Sequence, residues 1–187
     1  MNKKTIIWIV VLAVVLIAVF ALVGSYNSLV SLREGVSGSL SNIDTQLQRR
    51  NDLIPNLVNT VKGYTTHESE VLGEVSEART KLAGAATTEE MAAADAQLSS
   101  ALSRLLMIVE NYPDLKADTQ FTALSDELAG TENRIAVARK DYNDAARSYN
   151  TKIQKFPTVI LANLFGFDSV AYFEAEETAS QVPQVQF

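Results

Sequence analysis

The 187-residue chain contains no cysteine, which removes disulfide frameworks, thiolate metal sites and a lipid-modified cysteine anchor at once. It has a single histidine, His67, so two-histidine metal motifs are excluded. Beside Glu68 and Glu70 that histidine sits on an otherwise polar stretch, where it reads as a surface side chain rather than a ligand. Gly35 and Gly38 form no phosphate loop, because no Lys-Ser or Lys-Thr follows them. Nothing supplies a nucleophile, a base and an orienting group together, so the expectation is a protein that is not an enzyme, with no cofactor and no metal. Prolines number four and glycines eight, and period-two alternation is missing at any length, which excludes a sheet and points to helices.

What the chain does have is an unbroken apolar run, Ile6 to Val23, preceded by Lys3 and Lys4 and ended by Gly24-Ser25. At about 1.5 Å rise per residue it reaches most of the way across a hydrocarbon core of roughly 30 Å. Trp8 and Tyr26 lie near its two ends, where amphipathic rings favour the headgroup level. Positive charge is retained on the cytoplasmic side, which places residues 1–5 inside and the rest of the chain outside. A cleaved signal peptide is the rival, since Val23-Gly24-Ser25 is small enough for a peptidase, but the run exceeds the ~7 to 15 residues of an ordinary signal core. Beyond the span, 14 basic against 22 acidic residues give a formal charge of −8, which disfavours nucleic acid as a partner.

The exposed part reads as helices. Leu29, Val36, Leu40, Ile43 and Leu47 form one stripe; Leu57, Val61, Tyr64, Val71, Val75, Ala78 and Leu82 form a second. Between them Asp52 could cap a new helix with Pro55 in its first turn, although the apolar register also continues in phase through Pro55, as in a single kinked helix. Matched lengths favour the break at Asp52. Thr87 and Glu90 make a capping box for a third helix with Leu98, Leu102, Leu105, Val109 and Tyr112, which Pro113 stops. A fourth opens near Asp118 and carries Phe121, Leu124, Leu128, Ile135, Ala138, Tyr142, Ala145, Tyr149 and Ile153, with only Thr131 polar. The fold class is therefore all-α: one N-terminal transmembrane helix, residues 6–23, then an antiparallel up-and-down helical bundle over 24–155, of four long helices or of three if the helix is continuous through Pro55. An apolar capping or interfacial segment over 156–178 and a flexible tail over 179–187 complete it.

Several blocks of sequence are more specific. Gln46-Leu47-Gln48-Arg49-Arg50-Asn51-Asp52-Leu53-Ile54-Pro55-Asn56-Leu57-Val58, then Val61-Lys62-Gly63-Tyr64, resembles the hallmark of the LemA family. So do Glu110-Asn111-Tyr112-Pro113-Asp114-Leu115-Lys116-Ala117, Thr131-Glu132-Asn133-Arg134-Ile135, Ala138-Arg139, Tyr142-Asn143 and Tyr149-Asn150. The resemblance implies a bacterial membrane-anchored protein whose soluble part is an antiparallel helical bundle; with the charges that flank the span, the expected place is the cytoplasmic membrane, with the bundle extracytoplasmic. It implies no settled chemistry, and some relatives are linked to magnetosome formation, which hints at membrane organisation.

Seven charged residues stand out as candidates for a polar seam: Arg49, Arg50, Glu68, Glu110, Glu132, Arg134 and Arg139. The first stripe's spacing puts Arg50 near the seam and the second puts Glu68 between Tyr64 and Val71, and a charge there must be paired, because burying one alone costs several kcal/mol; the expected carboxylate partner of Arg50 is Glu68, Glu110 or Glu132. The seam is expected to fix helix register, with a docking site for a small extracytoplasmic ligand as the alternative. Phe156, Leu164, Phe165 and Phe167 are the candidate interface: an even number of helices would return this segment to the bilayer, to cap the bundle or lie among headgroups. The functional expectation is a membrane-anchored, non-catalytic scaffold or interaction module. Its expected partners are the lipid bilayer, further copies of itself and other membrane or envelope proteins.

Overall fold

A computed structural model describes residues 2–65 and 68–174, so His67 and the tail over 179–187 lie outside the described residues. Helices α1 (Lys3–Lys62), α2 (Ser69–Gly84), α3 (Thr88–Val109), α4 (Pro113–Lys116), α5 (Thr119–Gln154) and α6 (Thr158–Phe165) follow in order, and no strand occurs among the described residues. The chain divides into two compact units, Met1–Gly38 with Asp144–Val170, and Ser39–Asn143 with Ala171–Phe187.

The larger unit is an up-down-up-down arrangement of α1, α2, α3 and α5. Opposed directions are visible in the pairings: along α2 and α3, Glu68 meets Tyr112 while Glu74 meets Arg104 at 2.7 Å, and along α1 and α5, Tyr64 meets Asp118 while Arg50 meets Glu132 at 2.8 Å. Leu47, Ile54, Leu57, Val61, Val75, Leu98, Leu105 and Ile135 are among the residues buried in it. The α3 start follows the capping box: Thr87 Oγ1 accepts from the Glu90 N–H at 3.1 Å, and the Glu90 carboxylate accepts from the Ala86 and Thr87 N–H groups. Those two backbone bonds, led by Ala86, hold the Glu90 pKa below its ordinary value. At α5, Asp118 Oδ1 accepts from the N–H groups of Gln120 and Phe121.

The expected break at Asp52 is absent. Helix α1 runs 60 residues with Pro55 inside it, and Asp52 faces solvent, accepting from Gln48 Nε2 at 3.0 Å instead of capping a helix. A proline in a helix interior lacks the N–H that would satisfy the carbonyl four residues back. Here that carbonyl belongs to buried Asn51, and Arg79 of α2 donates to it through Nε at 3.1 Å. The side chain of a neighbouring helix thus replaces the missing backbone donor, and the in-phase burial of Leu47, Ile54, Leu57 and Val61 keeps the helix on its course through the proline. The turn lies further on, beginning at Gly63 and Tyr64, so Tyr64 leaves the stripe and is largely exposed. Its hydroxyl donates to Asp118 Oδ2 at 2.7 Å, and the Tyr112 hydroxyl donates to Glu68 at 3.0 Å. Two tyrosine–carboxylate bonds therefore tie the α1–α2 turn to the segment around α4.

In the smaller unit the buried apolar residues are Leu29 and Val36 from α1, Ala146, Tyr149 and Ile153 from α5, Leu161 and Ala162 from α6, and Phe167. The early stripe of the continuous helix is therefore covered within the chain. Burial is the first cause of the raised Tyr149 pKa. Of the residues before Ser25, none among those described is buried, and among the described residues α1 is the one helix long and apolar enough to cross a membrane.

Candidate functional site

The sequence pattern of α3 brings a carboxylate into a dry place. Asp95 stands three residues before Leu98 and seven before Leu102, in phase with the buried stripe, so the packing that buries those leucines buries it as well. It is 0% exposed, and the partner that comes to it, Arg50 of α1, is 4% exposed. Arg50 Nη1 donates to Asp95 Oδ1 at 2.6 Å and to Glu132 Oε2 at 2.8 Å, and Nη2 donates to Ser99 Oγ at 3.0 Å. Arg139 of α5 takes the other Asp95 oxygen through Nη2. The Ser99 hydroxyl donates in turn to Glu132.

Two guanidiniums and two carboxylates sum to zero charge, so the cluster holds no net charge away from water. Burial pushes the Arg50 pKa down while the Glu132 carboxylate pulls it up; burial, then the Arg50 charge, lowers that of Arg139. A guanidinium remains a cation in proteins, and so both stay ionised. Chemically the arrangement clamps α1, α3 and α5 together; its charges are spent on one another, which is opposite to the free, poised titratable group that acid–base chemistry needs.

Of the seven candidate seam residues, the structure gathers Arg50, Glu132 and Arg139 into this network. Arg49 and Arg134 are elsewhere, meeting at Glu127 on the surface at 2.7 and 2.8 Å. Glu68 accepts from Tyr112, and exposed Glu110 pairs with Lys116 at 2.5 Å. Neither is a partner of Arg50. Sequence reasoning missed Asp95, Ser99 and Glu127, although an acidic residue in register with Leu98 and Leu102 among alanines was a usable signal for the first.

The Tyr-Asn pairs of α5 acquire partners of a kind that spacing alone does not give. In the larger unit Tyr142 donates to the Ala171 carbonyl at 2.8 Å, and the Asn143 amide both donates to and accepts from the backbone of Phe173, at 3.0 and 2.8 Å. Phe173 lies against the Arg139 guanidinium, 4.9 Å from its centroid. In the smaller unit Asn150 grips Val170 in the same two-point way, at 2.9 Å each. Each asparagine thus satisfies backbone groups of a segment that lies outside any helix.

An open cleft of about 320 Å³ adjoins the network in the larger unit, lined by Arg50, Leu57, Ser99, Leu102, Ser125 and Leu128 among others. Arg50 Nε and Ser125 Oγ are buried without a hydrogen-bond partner. No cluster of three or more metal-ligating side chains occurs among the described residues. Of the candidate interface residues, Phe156, Leu164 and Phe165 are exposed and Phe167 is buried.

The chain is 29% identical over 184 residues to magnetosome protein MamQ 2 of Paramagnetospirillum magneticum, covering 84% of this chain and 67% of that protein. Magnetosome protein MamQ of Magnetospirillum gryphiswaldense is 28% identical over the same shares. Protein LemA of Metamycoplasma hominis is 29% identical over 159 residues, covering 84% of this chain and 73% of that protein. Residues 39–187, which include the Arg50–Asp95–Arg139 network, match the LemA family as a whole, and the chain belongs to that family.

Proposed function

We propose that the protein is a non-catalytic scaffold, anchored in the bacterial cytoplasmic membrane by Ile6 to Val23 with its amino terminus inside, whose helical bundle acts on the extracytoplasmic side by self-association and by contact with other envelope proteins. The observation that carries this reading is the charge-balanced Arg50–Asp95–Glu132–Arg139 cluster, which uses its ionised groups to hold helices and leaves none poised for chemistry. A protein built this way acts through its surface. Relatives named as magnetosome proteins agree with a role in organising a membrane structure.

A second reading, a sensor or carrier for a small ligand, is favoured by one feature: the cleft lined by Arg50, Ser125 and several leucines, at which the buried Arg50 Nε and Ser125 Oγ have no hydrogen-bond partner. Native mass spectrometry of the full chain, released from detergent micelles, separates the two. A defined oligomer whose mass is protein alone is expected. A monomer carrying an added small-molecule mass, lost when Ser125 is replaced by Leu, would instead establish the carrier.

A further inference from the structure

The smaller unit contains an apolar surface that the fold leaves uncovered. Helix α6 is apolar on two sides: Thr158, Leu161 and Ala162 are buried, while Ile160 and Leu164, one turn apart, face outward at 58% and 72% exposure. Phe156, just before the helix, is 81% exposed, and Phe165 at its end is 55% exposed. Four large apolar side chains in so short a segment mark a surface that is covered by something when the protein is at work.

Its place in the unit says by what. The Phe165 ring lies edge-on to Tyr26 at 5.1 Å between centroids, and the Phe167 ring at 5.7 Å. Tyr26 follows Val23, the last residue of the apolar run, by three positions, which is about 4.5 Å of helix rise. The end of α6 is therefore within one helical turn of the level at which α1 enters the hydrocarbon. Gly166, at φ 69°, turns the chain off the helix directly after Phe165, so that Phe165 and then Phe167 both lie beside Tyr26.

We propose that the outer face of α6, from Phe156 to Phe165, is seated among the lipid headgroups of the leaflet that α1 enters, as a second contact with the bilayer that does not span it. The proposal rests on α1 being the membrane anchor. Apolar burial drives it rather than charge, because Thr158–Phe165 carries no charged side chain. Contact with the bilayer should therefore be insensitive to salt and to the anionic lipid content.

The absence of cysteine makes single-site labelling clean. The full chain is reconstituted in phosphatidylcholine vesicles, with and without phosphatidylglycerol, carrying one nitroxide at Leu164→Cys, Phe156→Cys, Trp8→Cys or Ala123→Cys in turn, and collisions with oxygen and with a water-soluble nickel chelate are compared. Positions 164 and 156 are expected to show an oxygen-to-nickel ratio several-fold above that of exposed Ala123→Cys, in both lipids and at high salt. A ratio at 164 and 156 equal to that at 123, while Trp8→Cys reports lipid, would overturn the seating of α6 and leave the span intact. An aqueous ratio at Trp8→Cys as well would refute the anchor itself. Shielding of 164 from both reagents, with spin–spin broadening that disappears on dilution with unlabelled protein, would assign the face to a second copy and overturn the lipid contact.

Discussion

Replacing Asp95 with Leu is expected to destabilise the protein by about 3–5 kcal/mol, the cost of stripping buried charges of their partner. Asp95 is the hub of the network, being bonded to both Arg50 and Arg139, and its loss leaves two like charges near one another with Glu132 alone to answer them. Arg50→Leu should cost less, because Asp95 keeps Arg139 and Glu132 is partly exposed to water. Glu132→Gln should cost least. Chemical denaturation of the full chain in detergent, followed by helical circular dichroism, gives the order. Equal and small losses for all three would mean that water, not the network, satisfies these charges. The double variant Arg50→Met with Asp95→Leu is expected to recover part of the loss, since replacing a buried pair by packed apolar groups is often close to neutral.

The second large effect concerns the proline in α1. Arg79→Met is expected to destabilise the bundle by about 1–3 kcal/mol, because the buried Asn51 carbonyl loses the donor that stands in for the missing N–H of Pro55. Pro55→Ala supplies that N–H and relieves a helix-interior proline, whose ordinary cost is about 3 kcal/mol, so it should stabilise. The two changes meet at one carbonyl and should be non-additive: in the Pro55→Ala protein, the cost of Arg79→Met is expected to shrink by at least about 0.5 kcal/mol. A double-mutant cycle by denaturation measures this directly. Strict additivity would show that Arg79 acts through packing elsewhere and that the carbonyl is satisfied another way.

How far the residues alone could be read depended on which physical signal carried each feature. Helical periodicity gave the stripes of α3 and α5, and side-chain chemistry gave the Thr87–Glu90 capping box, because both are local. The turn between the first two helices is not local. Pro55 looks like a helix start until Arg79, 24 residues further along, is known to satisfy Asn51, and only then does Gly63 become the better end. The expected return of α6 toward the start of α1 nonetheless agrees with the pairing of Phe165 and Tyr26, since moving the turn from Asp52 to Gly63 leaves the number of long helices unchanged. For the seam, burial of Arg50 was legible from stripe spacing, but its partners were not. Glu68 and Glu110 are spaced plausibly and end up on other residues, while Asp95 was hidden in an alanine-rich stretch whose stripe begins one turn earlier than its first leucine suggests. The asparagines at 143 and 150 bind backbone that is remote in sequence and has no pattern of its own, which leaves no trace in periodicity.

The scaffold reading requires that the bundle be outside the cell and that copies of it meet there, and one experiment in intact cells addresses both requirements. An amine-reactive cross-linker that does not cross membranes is applied to living cells, and linked peptides are identified by mass spectrometry. Lysines such as Lys62, Lys81 and Lys116 are exposed in the larger unit, and Lys3 and Lys4 flank the apolar run on its other side. The expected result is modification of the bundle lysines, with links joining the same lysine in two copies, and unmodified Lys3 and Lys4 until the membrane is opened. Bundle lysines that react only after the membrane is opened, or that react in intact cells without ever linking to another protein chain, would contradict a scaffold acting on the extracytoplasmic face.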